Sequence, residues 1–310
     1  MTSLFSEKPQ EVWDFVSINQ DEVERVSKKM KMPKLLAKIL MFHGIGEGEI
    51  KGIQGFLKPD RALIDEYKQI SSTEELDKAM KAIAKICEAG EKIVVNGDPD
   101  ADGITGGAIL TAGLRFLGAK TTYDYPVRAK EGHGLQVRII DEAVEAGAKM
   151  IVTTDCGTKD VEAVDYANSK GLDVVVCDHH ILGRTLPNAL AVINPNLGPE
   201  GSPERLLSGA GMSFKLIIAV AQYMKKEFYG ELYQFMLACA ALGTISDRMS
   251  LKEPMNRAIV KHGMHCLNTT SLAGLKALKS ISTGHNTALK AHEVSRTITP
   301  RLNAPGRIGD

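Results

Sequence analysis

Carboxylates and imidazoles gather in this 310-residue chain just after its most apolar short runs. Lys92-Ile93-Val94-Val95-Asn96 leads through Gly97 into Asp98-Pro99-Asp100-Ala101-Asp102-Gly103. Met150-Ile151-Val152-Thr153 leads through Thr154 into Asp155-Cys156-Gly157, and Asp173-Val174-Val175-Val176 through Cys177 into Asp178-His179-His180. Farther on, Gly243-Thr244-Ile245-Ser246 delivers Asp247. Four or five carboxylates brought to one edge raise one another's pKa and oppose folding. One or two divalent cations remove that penalty. Carboxylates with one or two imidazoles suit Mn²⁺, or Mg²⁺ with retained waters, better than a thiolate zinc site. Two ions about 3.5–4 Å apart can activate a water and stabilise the leaving oxygen of a phosphoryl displacement. Each piece alone has a plainer reading. An Asp after a strand is often a helix cap, and Asp-x-Asp-x-Asp-Gly resembles a calcium loop, although Ile109 stands where that loop needs its last Glu. Together, after successive strands, they point to a metal site.

Such a site needs an element that ends several strands at one edge. A parallel sheet does this, and its ligands bind at the carboxyl ends of the strands. From residue 91 strand-like and helical patterns alternate: helices over Ile104–Leu117, Leu135–Ala146 and Val161–Ser169, with further strands at Thr121–Tyr123 and Ala189–Ile193. The strands are apolar on both faces, as a covered parallel sheet requires. Residues 1–90 read as helical. Leu36, Ile39 and Leu40 share a face, and Ser72-Thr73-Glu74-Glu75 opens a helix in capping-box style, with Leu76, Met80, Ile83 and Ile86 at helical spacing before Gly90. Helices also fit Gly211–Phe228, Glu231–Ile245, Met255–Cys266 and Leu272–Leu278. The expected fold is α/β, a mostly parallel sheet flanked by helices. Its organisation reads as a helical N-terminal region packing on the core (1–90), an α/β catalytic domain (91–250) and a basic helical segment with the start of a linker (251–310).

Composition narrows the class. Hydrophobic residues make up 44% and charged residues 25%, which supplies a sizeable core and excludes a wholly disordered chain. No apolar run approaches the ~18–20 residues that span a bilayer, and the N-terminus lacks a signal-peptide pattern. Five cysteines with no Cys-x-x-Cys pair argue against a disulfide scaffold and for a reducing cytoplasm. The neutral total conceals an asymmetry. Leu251 to Gly309 carries nine Lys/Arg against two Glu, while residues 1–250 are net acidic. A phosphate-facing surface and a merely solvated set of helix faces both fit that count.

The segments Asp98–Gly103, Thr154–Gly157 and Asp178-His179-His180 resemble the DHH phosphoesterase superfamily. Arg128–Leu135, Pro187–Ala189, Ile193–Pro195, Ser208–Leu216, Ala241–Asp247 and Pro300–Arg307 narrow the likeness to its RecJ family of bacterial single-strand-specific 5′→3′ exonucleases. The likeness runs in collinear order from about residue 34 to the end.

The resemblance implies a metal-dependent hydrolase that releases 5′-nucleotides from single-stranded DNA in repair and recombination, with two Mn²⁺ (or Mg²⁺) ions. Metal ligands by this resemblance are Asp98, Asp100, Asp102, Asp155, His179 and Asp247. Asp155 would bridge the ions, Asp102, His179 and Asp247 would complete one, and Asp98 and Asp100 would serve the other. Asp178 would orient a histidine, and His180 would contact the scissile phosphate. Ser208, Gly209 and Gly211 open a helix whose N–H groups could hold a phosphate, and Arg301, Asn303 and Arg307 match a segment that contacts the nucleic-acid backbone. Repair or single-strand-binding proteins are implied partners, with no membrane. Four residues at three places depart from the family pattern: Pro99 (usually aromatic), His133 (usually Tyr) and Arg248-Met249 (usually an apolar pair). The family continues into a DHH-associated domain beyond the segment matched here. The rivals are another DHH phosphodiesterase, acting on short oligonucleotides or cyclic dinucleotides, and a non-catalytic scaffold. Scaffolds of this type lose metal carboxylates, and this chain keeps them. A Rossmann module is weaker still, since no Gly-x-Gly-x-x-Gly follows the first strand.

Overall fold

A computed structural model describes residues 17–45, 49–283, 288–304 and 306. The chain divides after Lys58 into two compact units. The first contains helices α1 (Gln20–Met30), α2 (Lys34–Phe42) and α3 (Ile50–Leu57), closed around Val23, Val26, Ala37, Leu40 and Ile53.

The second unit is built on five parallel strands: β1 (Lys92–Gly97), β2 (Lys120–Asp124), β3 (Met150–Thr154), β4 (Asp173–Cys177) and β5 (Ala191–Ile193), in the order β2-β1-β3-β4-β5. The chain leaves β1 toward β2 and then returns past β1 to β3. This reversal opens a crevice at the carboxyl ends of β1 and β3, where a doubly wound sheet binds its ligand. The buried apolar side chains of β1, β3, β4 and β5 alternate between two cores. Ile93, Val95, Met150, Val152, Val175, Cys177, Ala191 and Ile193 face one layer, and Val94, Ile151, Val174, Val176 and Val192 face the other. Burial on both faces explains the continuous apolar runs. Each fully buried Val or Ile contributes about 1.5–3 kcal/mol.

The first layer holds α4 (Thr73–Ala89), α5 (Ala101–Leu117), α9 (Gly209–Tyr223) and α10 (Gly230–Ser246). The second holds α7 (Val137–Glu145) and α8 (Val161–Ser169), after the short α6 (Arg128–Glu131). Ser72 caps α4 through the Glu75 N–H, and Gly90, at φ +65°, ends it. The helix at the end of the expected N-terminal region therefore belongs to the core of the main unit. α5 starts three residues earlier than its apolar pattern indicates, because Asp100 accepts from the Asp102 and Gly103 N–H groups and caps it. The C-terminal stretch forms α11 (Pro254–Thr269), α12 (Ala273–Thr283), α13 (Ala291–Glu293), a π-helical turn (Val294–Ile298) and α14 (Thr299–Asn303). Its apolar side, including Val260, Leu267, Leu275, Val294 and Ile298, packs with Ala238, Leu242 and Ile245 of α10. No helix among the described residues is long and apolar enough to cross a membrane.

Lys215, fully buried on α9, fastens this layer to the segment after residue 58. Its Nζ donates to the carbonyls of Leu63 (2.5 Å) and Ile64 (2.8 Å), and burial lowers its pKa to about 8. Lys215→Met strands both carbonyls in the core. We expect it to cost about 2–4 kcal/mol, seen as a lower denaturant midpoint at unchanged m-value. A loss below ~0.5 kcal/mol would show that the amino group is dispensable.

Candidate metal centre and phosphoester site

The ladders extend one residue beyond the strands and so fix the acidic residues in register. Asp98 N–H donates to the Thr154 carbonyl (3.3 Å), Asp155 N–H to Cys177 (3.1 Å) and Asp178 N–H to Ile193 (3.0 Å). Three successive strand ends therefore present Asp98, Asp155 and Asp178-His179-His180 side by side. Asp247 arrives from the other direction, as the residue that ends α10.

His179 is the centre of the cluster. Its Nε2 lies 3.0 Å from Asp155 Oδ1, 3.7 Å from Asp247 Oδ2 and 4.0 Å from Asp102 Oδ2. Among the described residues two groups have ligand atoms close enough to hold a metal ion: Asp102–His179–Asp247 and Asp155–His179–His180. The first reproduces the set assigned to one ion. Asp98 and Asp100 fall in neither group, although both line the same cavity of about 320 Å³ with Asp155, His180 and Asp247. Asp100 Oδ1 is engaged in capping α5, and Asp98 Oδ1 lies 3.0 Å from His133 Nδ1.

Asp178 is a holder of histidine. Its Oδ1 accepts from His180 Nδ1 (2.7 Å) and from the His179 and His180 N–H groups, and its Oδ2 from Thr158 N–H (3.0 Å). Burial pushes the Asp178 carboxyl up, but the His180 and Thr158 hydrogen bonds outweigh it and hold the group below its ordinary value. The bond to Asp178 raises His180 in turn. The other carboxyls go the opposite way. Burial lifts Asp102 to about 6, lifts Asp155 well above its ordinary value with the neighbouring Asp102 adding to the effect, and also raises Asp98 and Asp247.

The helix start at Ser208 corrects an expectation. Its N–H groups do not stand open to a phosphate. Gly209 N–H donates to Asp102 Oδ2 (2.6 Å), Ala210 N–H to Asp102 Oδ1 (3.0 Å), and Gly211 N–H to Ser208 Oγ (3.1 Å). A buried carboxylate needs these donors more than a solvated ligand does, so Gly209 and Ala210 anchor Asp102, while Ser208 caps the helix through the Gly211 N–H. The approach is close enough to require glycine. A Cβ on Gly209 would lie 2.4 Å from Asp155 Cβ, and one on Gly243 would lie 2.3 Å from Asp102 Oδ1. Asp155 itself adopts φ +60°, a left-handed conformation that Asp tolerates better than most residues and that concentrates at functional sites.

The C-terminal residues also find protein partners. Asn303 Oδ1 accepts from Ala101 N–H (2.6 Å), which ties α14 to the start of α5, and exposed Arg301 donates to the Thr297 and Ile281 carbonyls. Arg307 lies outside the described residues. The thiols of Cys156 and Cys177 are turned to Asn96 and Ser213, and burial raises both, as packing residues would show. Sequence reasoning gave no role to Arg128, His133, Lys159 or Asp160, which complete the cavity wall. The signal available for His133 was its place between Gly132 and Gly134.

These features agree with what the chain is similar to. A family model described as "DHH family, N-terminal domain" matches residues 92–244. The single-stranded-DNA-specific exonuclease RecJ of Escherichia coli is 31% identical over 307 residues, covering 95% of this chain and 51% of that protein. Its namesake in Bacillus subtilis is 32% identical over 296 residues, covering 96% and 36%. The crystal structure of RecJ in complex with Mn²⁺ from Thermus thermophilus superposes with a TM-score of 0.74 at 28% identity, covering 94% of this chain and 40% of that one. The chain thus spans about half the length of the curated relatives it matches, or less. It belongs to the DHH family, with residues 92–244 forming the DHH N-terminal domain.

Proposed function

We propose that this protein is a metal-dependent 5′→3′ exonuclease that hydrolyses single-stranded DNA to 5′-nucleotides in DNA repair and recombination. The observation that carries the reading is His179 Nε2 within 4.0 Å of Asp102, Asp155 and Asp247, in a chain similar throughout to exonucleases of this name.

The donor set fits Mn²⁺ or Mg²⁺. It consists of carboxylate oxygens and imidazole nitrogens, while the nearby thiols are turned elsewhere. Asp102, His179 and Asp247 would hold one ion, Asp155 would be shared, and Asp98 and Asp100 would serve a second. Such ions, when bound, lower the pKa of a water and offset the charge that develops on a phosphodiester. The protein's own residues orient the parts. Gly209 and Ala210 N–H groups fix both oxygens of Asp102. Asp178 holds the proton on His180 Nδ1 and favours the imidazolium, so Nε2–H is free to donate to a phosphate oxygen. Arg128 and Lys159, on the same cavity wall, would balance phosphate charge. Arg301, Asn303 and Arg307 remain proposed contributors to strand binding, with Asn303 acting through the start of α5. Repair or single-strand-binding proteins are the proposed partners, and the cytoplasm the proposed location.

Asp155→Ala removes the shared ligand, so nucleotide release should fall by roughly 100-fold or more, and excess EDTA should abolish it in the unaltered protein. The measurement is Mn²⁺-dependent release from 5′-labelled and 3′-labelled single and double strands. Full activity in EDTA would refute the metal role, and release from the 3′ label first would refute the polarity. Cleavage confined to short oligonucleotides or cyclic dinucleotides would favour the rival DHH activity.

The raised carboxyls also predict a pH effect on stability. Asp102 takes up a proton at about 6 in the folded state, against about 3.9 unfolded. Between these values the folded state binds more protons, so stability falls as pH rises. Asp155, Asp98 and Asp247 act with the same sign, whereas Asp178, lowered, changes only below this window. In chelator, Tm should drop by several degrees from pH 4 to pH 6, corresponding to up to ~3 kcal/mol. Mn²⁺ should restore more at pH 6 than at pH 4. A flat profile in chelator would mean the carboxylates are not strained without metal.

A further inference from the structure

The loop between β2 and α7 presents a single imidazole to the acidic cavity, and it is braced on both sides. His133 stands between Gly132 (φ +85°) and Gly134 (φ +79°), backbone conformations that only glycine adopts readily. On the upstream side, Glu131 accepts from Arg138 (2.8 and 3.2 Å) and from Val127 N–H (2.8 Å), and Arg138 also reaches Asp124 (3.0 Å) and the Tyr125 carbonyl (3.2 Å). On the downstream side, Leu135 N–H donates to Asp160 Oδ2 (2.7 Å), the same oxygen that a Cβ on Gly134 would approach to 2.4 Å. Gln136 Nε2 donates to the His133 carbonyl (2.6 Å). The braced loop brings His133 Nδ1 to 3.0 Å from Asp98 Oδ1.

Asp98 needs such a partner. Backbone N–H groups fix the carboxylates of Asp100, Asp102 and Asp178. Among the described residues, the hydrogen bond that fixes the Asp98 carboxylate comes from His133. With Oδ1 taken, Oδ2 is the oxygen left for a cation. A ligand whose free rotation is removed in advance binds more tightly, because less entropy is lost on coordination.

We infer that His133, through Nδ1–H to Asp98 Oδ1, is a positioning residue for Asp98 as ligand to the ion not held by Asp102, His179 and Asp247. The inference rests on the metal-dependent reading above. The His133 side chain is 55% exposed, so replacing it leaves the core intact. Asn is the informative variant, since its amide nitrogen stands where Nδ1 does, while it has nothing at the position of Nε2.

The test is a Mn²⁺ titration of the whole 310-residue chain, following the electron paramagnetic resonance signal of the free ion. The unaltered protein should bind two ions. His133→Phe should weaken one of them by about 10–100-fold and leave the other unchanged, at unchanged Tm. His133→Asn should recover most of the loss. Three results would overturn the inference: both ions unaffected in His133→Phe, both weakened together with a fall in Tm, or His133→Asn as poor as His133→Phe, which would make the imidazole itself the ligand. If the unaltered chain binds no pair of ions, the inference falls together with the metal reading. If two ions bind as described and no nucleotide is released, the positioning role stands and only the proposed activity fails.

Discussion

Buried like charge is the constraint around which the main unit is organised. Asp102 and Asp155 are 1% and 5% exposed; Asp155 lines a small cavity with Asp98 and Asp247, and Asp102 lies 4.0 Å from His179 Nε2 beside them. Carboxylates in that position destabilise a fold unless dipoles, partners or cations compensate. The architecture supplies the first two. The sheet reverses its winding between β1 and β3 and so opens the crevice. The start of α9 turns its peptide N–H groups onto Asp102, and His179 stands among three of the acids. The remaining charge is what suits the site to divalent cations.

The same constraint explains why small residues recur in the first layer. Gly209 and Gly243 let two helices approach Asp155 and Asp102 more closely than any side chain would permit, and Gly103 lies against the backbone of Asp98. These glycines are fixed by distance, not by backbone freedom, since none of the three has a positive φ. A helix start that could have held a substrate phosphate is instead committed to the protein's own anion. In a buried setting, an anion that belongs to the fold has first claim on the donors. The basic C-terminal stretch is likewise anchored on its apolar side to α10, the helix that delivers Asp247, and Asn303 ties it to the start of α5, which carries Asp102. A segment that appears in the sequence as a surplus of positive charge is thus also mechanically connected to the acidic centre.

Much of this was legible in the chain itself. The alternation of apolar runs and helical patterns gave the parallel sheet, because strands buried on both faces must be apolar throughout. The acids directly after β1, β3 and β4 were recognisable as one set because a parallel sheet brings all its carboxyl ends to one edge. Asp247 joined them through its place at the end of a helix and through the family resemblance. Local chemistry also fixed the start of α4 at Ser72 and its end at Gly90.

Tertiary structure decided the partners. Whether the N–H groups after Ser208 face solvent or a carboxylate depends on a contact between residues more than 100 positions apart, which no local pattern encodes. The same holds for Asn303 on Ala101 and Lys215 beneath Leu63 and Ile64, and His133 meets Asp98 across 35 positions, again beyond any local pattern. Residue type and spacing determine which groups can carry charge and at which edge of the sheet they emerge. Which donor each charge receives is settled by burial, because a desolvated polar group must bond to whatever the packed layers bring within reach.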